Sequence, residues 1–210
     1  MISHEKGLVG CEAETAQWID RLQTLQDRAG LSFLQLPPSF APDQLPLLAR
    51  YLKALPREIA FAVEARHPAW FVPGPEVDLN SLLADLGIAR VLYDVRPLSA
   101  ADRSDPDIRR ALEKKPNVPV RMVRTAPHTL VRYISHPSVS ANDPWLTEWE
   151  SPITNWLSEG NDVYFCMHSI HEPDMPALCR VFHDRLAAHI SLPPLPDWSM
   201  PAPNAQMSLF

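Results

Sequence analysis

Glu64, Arg66 and His67 fall within four residues at the end of an apolar run, 60–65, and Pro68 then turns the chain into Trp70 and Phe71. A carboxylate, a guanidinium and an imidazole at one strand end can grip an anion and move a proton. The same three side chains also suit a structural Glu–Arg ion pair with His67 bonded to backbone. Other apolar runs deliver polar residues at a comparable point. Gln35, Glu64, Asp94, Arg132 and His168 mark successive strand ends about 30 to 38 residues apart. Asp94 can orient an imidazole or a sugar hydroxyl, or cap a turn. Arg132 alternates with Val131 and Tyr133. If those two pack outward on helices, Arg132 points inward and needs a carboxylate, for which Glu64 and Asp94 are the candidates. The catalytic candidates are therefore Glu64, His67 and Asp94. The ligand-binding candidates are Gln35, Arg66, Trp70, Arg132 and His168.

Other chemistries find less support. His168, His171 and Glu172 have a metal-like spacing, but in a loop, and read as surface residues. No metal set is assigned, and the cofactor stays open. With six glycines and no phosphate-cradling loop, dinucleotide and P-loop sites are not expected. No serine stands in a nucleophile elbow. Cys11, Cys166 and Cys179 are odd in number and lack ligand spacing, so they read as small apolar fillers. Arg109, Arg110, Lys114 and Lys115 read as a solvated basic helix face.

These residues need elements to hold them. The 210-residue chain is 46% apolar and 21% charged, as expected of one soluble domain. A net charge of −6 argues against binding nucleic acid through the whole surface, and leaves a local basic groove open. No apolar run is long enough to span a membrane and residues 1–10 carry no signal pattern, so a cytoplasmic location is expected. Strands are predicted at 31–36, 60–65, 91–93, 118–123, 129–135 and 163–167. Helices are predicted at 12–29, from Asp43, from Asp78 to Gly87, from Asp105-Pro106 to Lys115, from Asp143-Pro144 to Gly160 with a break or kink at Pro152, and at 174–190. Alternating strands and helices imply a parallel sheet covered by helices. If the sheet curls into a TIM-like barrel, the strand ends share one functional rim.

The segments Leu34-Gln35-Leu36-Pro37-Pro38-Ser39-Phe40 and Ala62-Val63-Glu64-Ala65-Arg66-His67-Pro68-Ala69-Trp70-Phe71 resemble the family called domain of unknown function 72, the YecE-like proteins. Ile2-Ser3-His4-Glu5-Lys6, Val131-Arg132-Tyr133 and Val163-Tyr164-Phe165 are similar to further segments of it. The resemblance runs from Ile2 to about Ile190 and implies a TIM-barrel-type fold. It implies no particular reaction. The family's opening strands are not matched, so a partial α/β barrel lacking about the first three β/α units is expected over 1–190. Such a partial barrel would expose edges, and an N-terminal half-barrel or self-association would cover them. The family's Arg-Leu-His-Gly stands here as Arg132-Tyr133-Ile134-Ser135-His136, and its Phe-Asn-Asn as Phe165-Cys166-Met167-His168.

Residues 191–210 read as a Pro-rich tail. Its end, Gln206-Met207-Ser208-Leu209-Phe210, resembles the peptide by which bacterial proteins bind the sliding clamp. That resemblance implies a clamp partner and a replication or repair setting. The expected function is binding of a phosphate-bearing or polyhydroxyl ligand at the strand-end rim. Phosphodiester hydrolysis is the first guess should the protein be an enzyme. A non-enzymatic adaptor, or an inactive partial barrel, is the alternative.

Overall fold

The computed structural model describes residues 2–170, 173 and 175–196. Strand and helix alternate almost throughout. In chain order the elements are α1 (Glu12–Leu25), β1 (Ser32–Gln35), α2 (Leu45–Lys53), β2 (Phe61–Glu64), α3 (Pro75–Leu86), β3 (Ala89–Asp94), α4 (Arg96–Ser99), α5 (Pro106–Glu113), β4 (His128–Ile134), α6 (Asp143–Ser158), β5 (Asp162–His168) and α7 (Met175–Ala187). The strands form one parallel sheet in the order β1-β2-β3-β4-β5. Every residue of the inner strands β2 and β3 is buried. From Asp162 to Met167 the residues of the edge strand β5 alternate between exposed and half-buried.

The sheet is curled into a half-barrel. Arg132 on β4 donates to Gln35 on β1 at 3.0 Å, across two intervening strands. In a flat sheet those strands would stand roughly 14 Å apart, three spacings of ~4.8 Å. Curvature brings the concave-side groups together. Two layers line that side. Ala62, Ala89, Val91 and Leu130 form a small apolar layer toward the N-terminal ends of the strands. Polar side chains lie above it. The convex side carries larger cores, one around Leu48, Leu52, Leu79 and Leu83 and another around Trp149, Tyr133 and Phe182.

Several boundaries follow from local chemistry. Asp105 accepts from the Asp107 N–H at 2.8 Å and Pro106 opens α5, as its sequence predicts. Helix α3 starts at Pro75, earlier than expected, and puts Asp78 inside its first turn. It stops at Gly87, whose φ of 64° suits a residue without Cβ. Helix α6 runs on through Pro152. The predicted strand at 118–123 does not form. Pro119 cannot donate to a ladder, and the segment's apolar residues are used elsewhere. Val118 is buried beside Leu98 and Ile108, while Val120 and Met122 pack on the Trp149 core. Farther along, the Thr125 hydroxyl accepts from Arg90 N and donates to Ile88 O, which closes the start of β3. No helix among the described residues is long and apolar enough to cross a membrane.

Candidate functional site

The C-terminal half of the concave side is built around one carboxylate. Glu64 ends β2 with its side chain 1% exposed. Arg132 Nη1 donates to Glu64 Oε2 at 2.5 Å, and Arg66 Nε stands 3.3 Å from Oε1. Both arginine side chains are themselves largely buried, at 15% and 13% exposure. The Arg132 guanidinium also lies 5.3 Å from the Phe33 ring centre and 5.9 Å from that of Tyr93. These aromatic faces favour a cation at that height.

Strand parity explains who is present. Side chains alternate across a strand, so Gln35, Glu64, Tyr93 and Arg132 share the concave side. Asp94, one residue after Tyr93, faces the helices instead. It is fully buried and accepts from Arg96 N at 3.0 Å, Arg96 Nη2 at 2.8 Å and Trp149 Nε1 at 2.9 Å. That network ties β3 to α4 and α6 and, through its hydrogen bond, raises the Arg96 pKa against the cost of burial. Asp94 is thus placed apart from Glu64, and the Arg132 carboxylate partner is Glu64. Arg132 lies two residues before the end of β4, opposite Cys166, and Ile134 is the residue that pairs with His168.

The other candidates separate in the same way. Gln35 belongs to the cluster through its bond to Arg132. His67 Nδ1 accepts from Ala69 N at 3.1 Å and caps the short turn Pro68–Phe71, leaving Nε2 to carry the ring proton. Trp70 is fully buried and its indole donates to Phe40 O at 2.8 Å, so it packs in the core and makes no wall of the site. His168 closes β5 and lines a neighbouring pocket. His171, Glu172 and residues 206–210 lie outside the described residues.

Three further participants are not placed here by the sequence. Tyr93 is 4% exposed, yet its hydroxyl has no hydrogen-bond partner of acceptable geometry, although Arg66 stands near enough to favour its ionised form. Burial, then Glu64, push its pKa up to about 12, so it remains a proton donor. Lys115 follows α5 and is half-buried at the same mouth, not part of a solvated face. Burial lowers its pKa first, Arg132 and Arg66 lower it further, and Glu64 opposes them. His4 Nε2 lies 3.2 Å from Gln35 Nε2 and extends the polar chain to the edge of β1. Strand alternation could have flagged Tyr93. Nothing local marks Lys115, which reaches the mouth only through the tertiary fold.

Among the described residues, Arg66 and Arg132 therefore pair with Glu64, and Lys115 feels the charge of all three. The buried atoms Glu64 Oε1, Arg66 Nε and Tyr93 Oη lack well-formed hydrogen bonds. Glu64 Oε1 and Arg66 Nε nevertheless face each other at 3.3 Å as an ion pair, so Tyr93 Oη is the one of the three left without a well-formed partner among the described residues.

A parallel five-stranded β/α half-barrel defines the class of protein. Residues 1–202 match the family model described as "Protein of unknown function DUF72", and the chain belongs to that family. It is 35% identical to the UPF0759 protein YecE of Escherichia coli strain K12 over 213 aligned residues, covering all of this chain and 75% of that protein. Among solved structures, it is similar to a DUF72 family protein from Thermotoga maritima MSB8, with a TM-score of 0.58 at 16% identity. That match covers 84% of this chain, which spans 65% of the length of the Thermotoga chain. A DUF72 family protein from Enterococcus faecalis V583 gives a TM-score of 0.57 at 14% identity, over 92% of this chain and 71% of that one. At such identities the structural matches speak for the fold.

Proposed function

We propose that the protein binds a phosphate-bearing ligand at the C-terminal mouth of the half-barrel. The observation that carries this reading is the excess of positive charge: among the described residues, the largely buried Arg66 and Arg132 both pair with Glu64, and the half-buried Lys115 interacts electrostatically with all three. A phosphate oxygen can take an Arg66 N–H not turned to Glu64 and the Tyr93 hydroxyl, and arginine forks suit tetrahedral oxyanions. Glu64 acts as a charge anchor that holds both guanidiniums in place. Should the ligand be hydrolysed, the Tyr93 hydroxyl is the proton donor within the cluster.

Lys115 tests the reading. In a titration of inorganic phosphate followed by heteronuclear NMR, Lys115→Met should weaken binding about tenfold, the value of one charge-assisted hydrogen bond of about 1.4 kcal/mol. Folding stability should stay level or rise, because a half-buried cation beside two others is removed. The pH dependences have opposite signs. Phosphate binding needs the ammonium, so affinity falls as pH rises through the lowered Lys115 pKa, below the usual lysine value of ~10.4. Folding stability rises across the same window, since the unfolded chain there binds more protons than the native one. Lys115→Arg should move the loss of affinity to higher pH. Equal phosphate affinity in the parent and Lys115→Met removes Lys115 from the site.

A second, separable reading attaches to the sequence Gln206-Met207-Ser208-Leu209-Phe210. Its likeness to a sliding-clamp-binding peptide supports recruitment to DNA replication or repair, with the half-barrel serving as an adaptor. In a fluorescence titration at micromolar concentration, the full chain should bind a bacterial sliding clamp. Leu209→Ala with Phe210→Ala should abolish that binding. Without saturable binding by the parent the link to DNA falls.

A further inference from the structure

Beside the mouth lies a second pocket of about 440 Å³. Leu98, Ile134 and Ile170 give it an apolar floor, and Arg110, Lys114 and Lys115 give it a basic lip. The two sites are contiguous. Lys115 lines the pocket and interacts electrostatically with Arg66, Arg132 and Glu64. Arg66 Nη2 lies 3.4 Å from Lys114 O, in the wall between them.

Among the described residues, the charge of this pocket is poorly matched. Asp107 is the carboxylate that lines it, and it stands 3.3 Å from Arg110 with both side chains mostly exposed. Among the described residues no carboxylate lies within ion-pair distance of the Lys114 or Lys115 ammonium. A solvated helix face would not need a buried apolar floor under its cations. Leu98 and Ile134 are 0% and 2% exposed. Low-dielectric walls strengthen the pull of cations on an anion placed there.

We infer that the ligand carries two anionic groups on a short organic linker, with one held by Arg66, Arg132 and Tyr93 and the other by Arg110 and Lys114. Lys115 bridges the two subsites and the linker crosses the apolar floor. This rests on the phosphate reading of the mouth and adds to it the ligand's second charge. The shared chemistry is an oxyanion at each end; the second group is a phosphate or a carboxylate.

A series of α,ω-alkane bisphosphonates provides a ruler. Binding to the whole chain is measured by calorimetry against methylphosphonate, with ω-phosphonocarboxylates of matching length as a second arm. At the best spacer the two-headed ligand should bind at least about tenfold tighter than methylphosphonate, through the effective concentration of its tethered second head. Whichever arm binds better identifies the second group. Combining Arg110→Ala with Lys114→Ala should remove that gain and leave methylphosphonate binding unchanged. Both side chains are on the surface, so folding should not suffer. Arg103→Ala with Arg109→Ala changes net charge equally, on α5 and the loop before it but outside the pocket lining, and should keep the gain. If no spacer improves on methylphosphonate while methylphosphonate itself binds, the second subsite is overturned and the phosphate reading stands. If neither class binds, both are overturned.

Discussion

Glu64→Ala should lower stability by about 3 kcal/mol, or about 10 °C in melting temperature for a domain of this size. The carboxylate is buried and is the ion-pair partner of both Arg132 and Arg66. Removing it strands two guanidiniums that are themselves largely withdrawn from water. The cost is dominated by that uncompensated charge, not by lost packing. Two further measurements separate this cause from a cavity. Glu64→Leu combined with Arg132→Met removes the principal pair together and should recover more than half of the loss in a urea titration. Added inorganic phosphate should stabilise Glu64→Ala more than the parent, because the anion replaces the missing negative charge among Arg66, Arg132 and Lys115. A Glu64→Ala loss below about 1 kcal/mol would show that Glu64 is solvated like a surface carboxylate.

Arg132→Met should reduce phosphate affinity by about 100-fold, a loss of about 3 kcal/mol in ligand contacts. Arg132 is the residue on which the cluster converges. It bonds Glu64 and Gln35 while lying over Phe33 and Tyr93. Arg132→Lys keeps a charge but loses the planar fork, so its affinity should fall by about tenfold. Since Arg132→Met also leaves Glu64 with one partner, stability will fall too, and a control is needed. Asp94→Asn supplies it. It weakens the buried network with Arg96 and Trp149 on the opposite side of β3, so it should destabilise without changing phosphate affinity. Unchanged affinity in Arg132→Met, or an equal loss in Asp94→Asn, would break the link between this cluster and the ligand.

The contrast between Asp94 and Tyr93 shows how far residue patterns reach. Both end an apolar run, and an acidic residue there invites a catalytic reading. A shift of one residue reverses the side of the sheet, however. The packing of Leu92 and Tyr133 on the helices decides which parity is concave. The same logic succeeded for Arg132, because Val131 and Tyr133 are large apolar neighbours that must pack outward. Trp70 shows the reverse case. An aromatic residue beside a polar motif resembles a binding wall, but its indole is drawn into the core by the Phe40 carbonyl.

The sequence by itself determined the repeating β/α order, the parallel sheet, the family, and Glu64, Arg66 and Arg132 as candidates at strand ends, with the Arg132 partner left between Glu64 and Asp94. Those features are written in short-range periodicity and in contiguous motifs. Only the tertiary structure decided that Tyr93 replaces Asp94 at the mouth, and that Lys115 belongs to it. It also bound Gln35 to Arg132 across two strands. Each of these depends on sheet curvature and on the path of the chain after α5, which are set by packing between residues far apart in sequence. A buried cation cluster is a property of convergence in space, so no local pattern announces it.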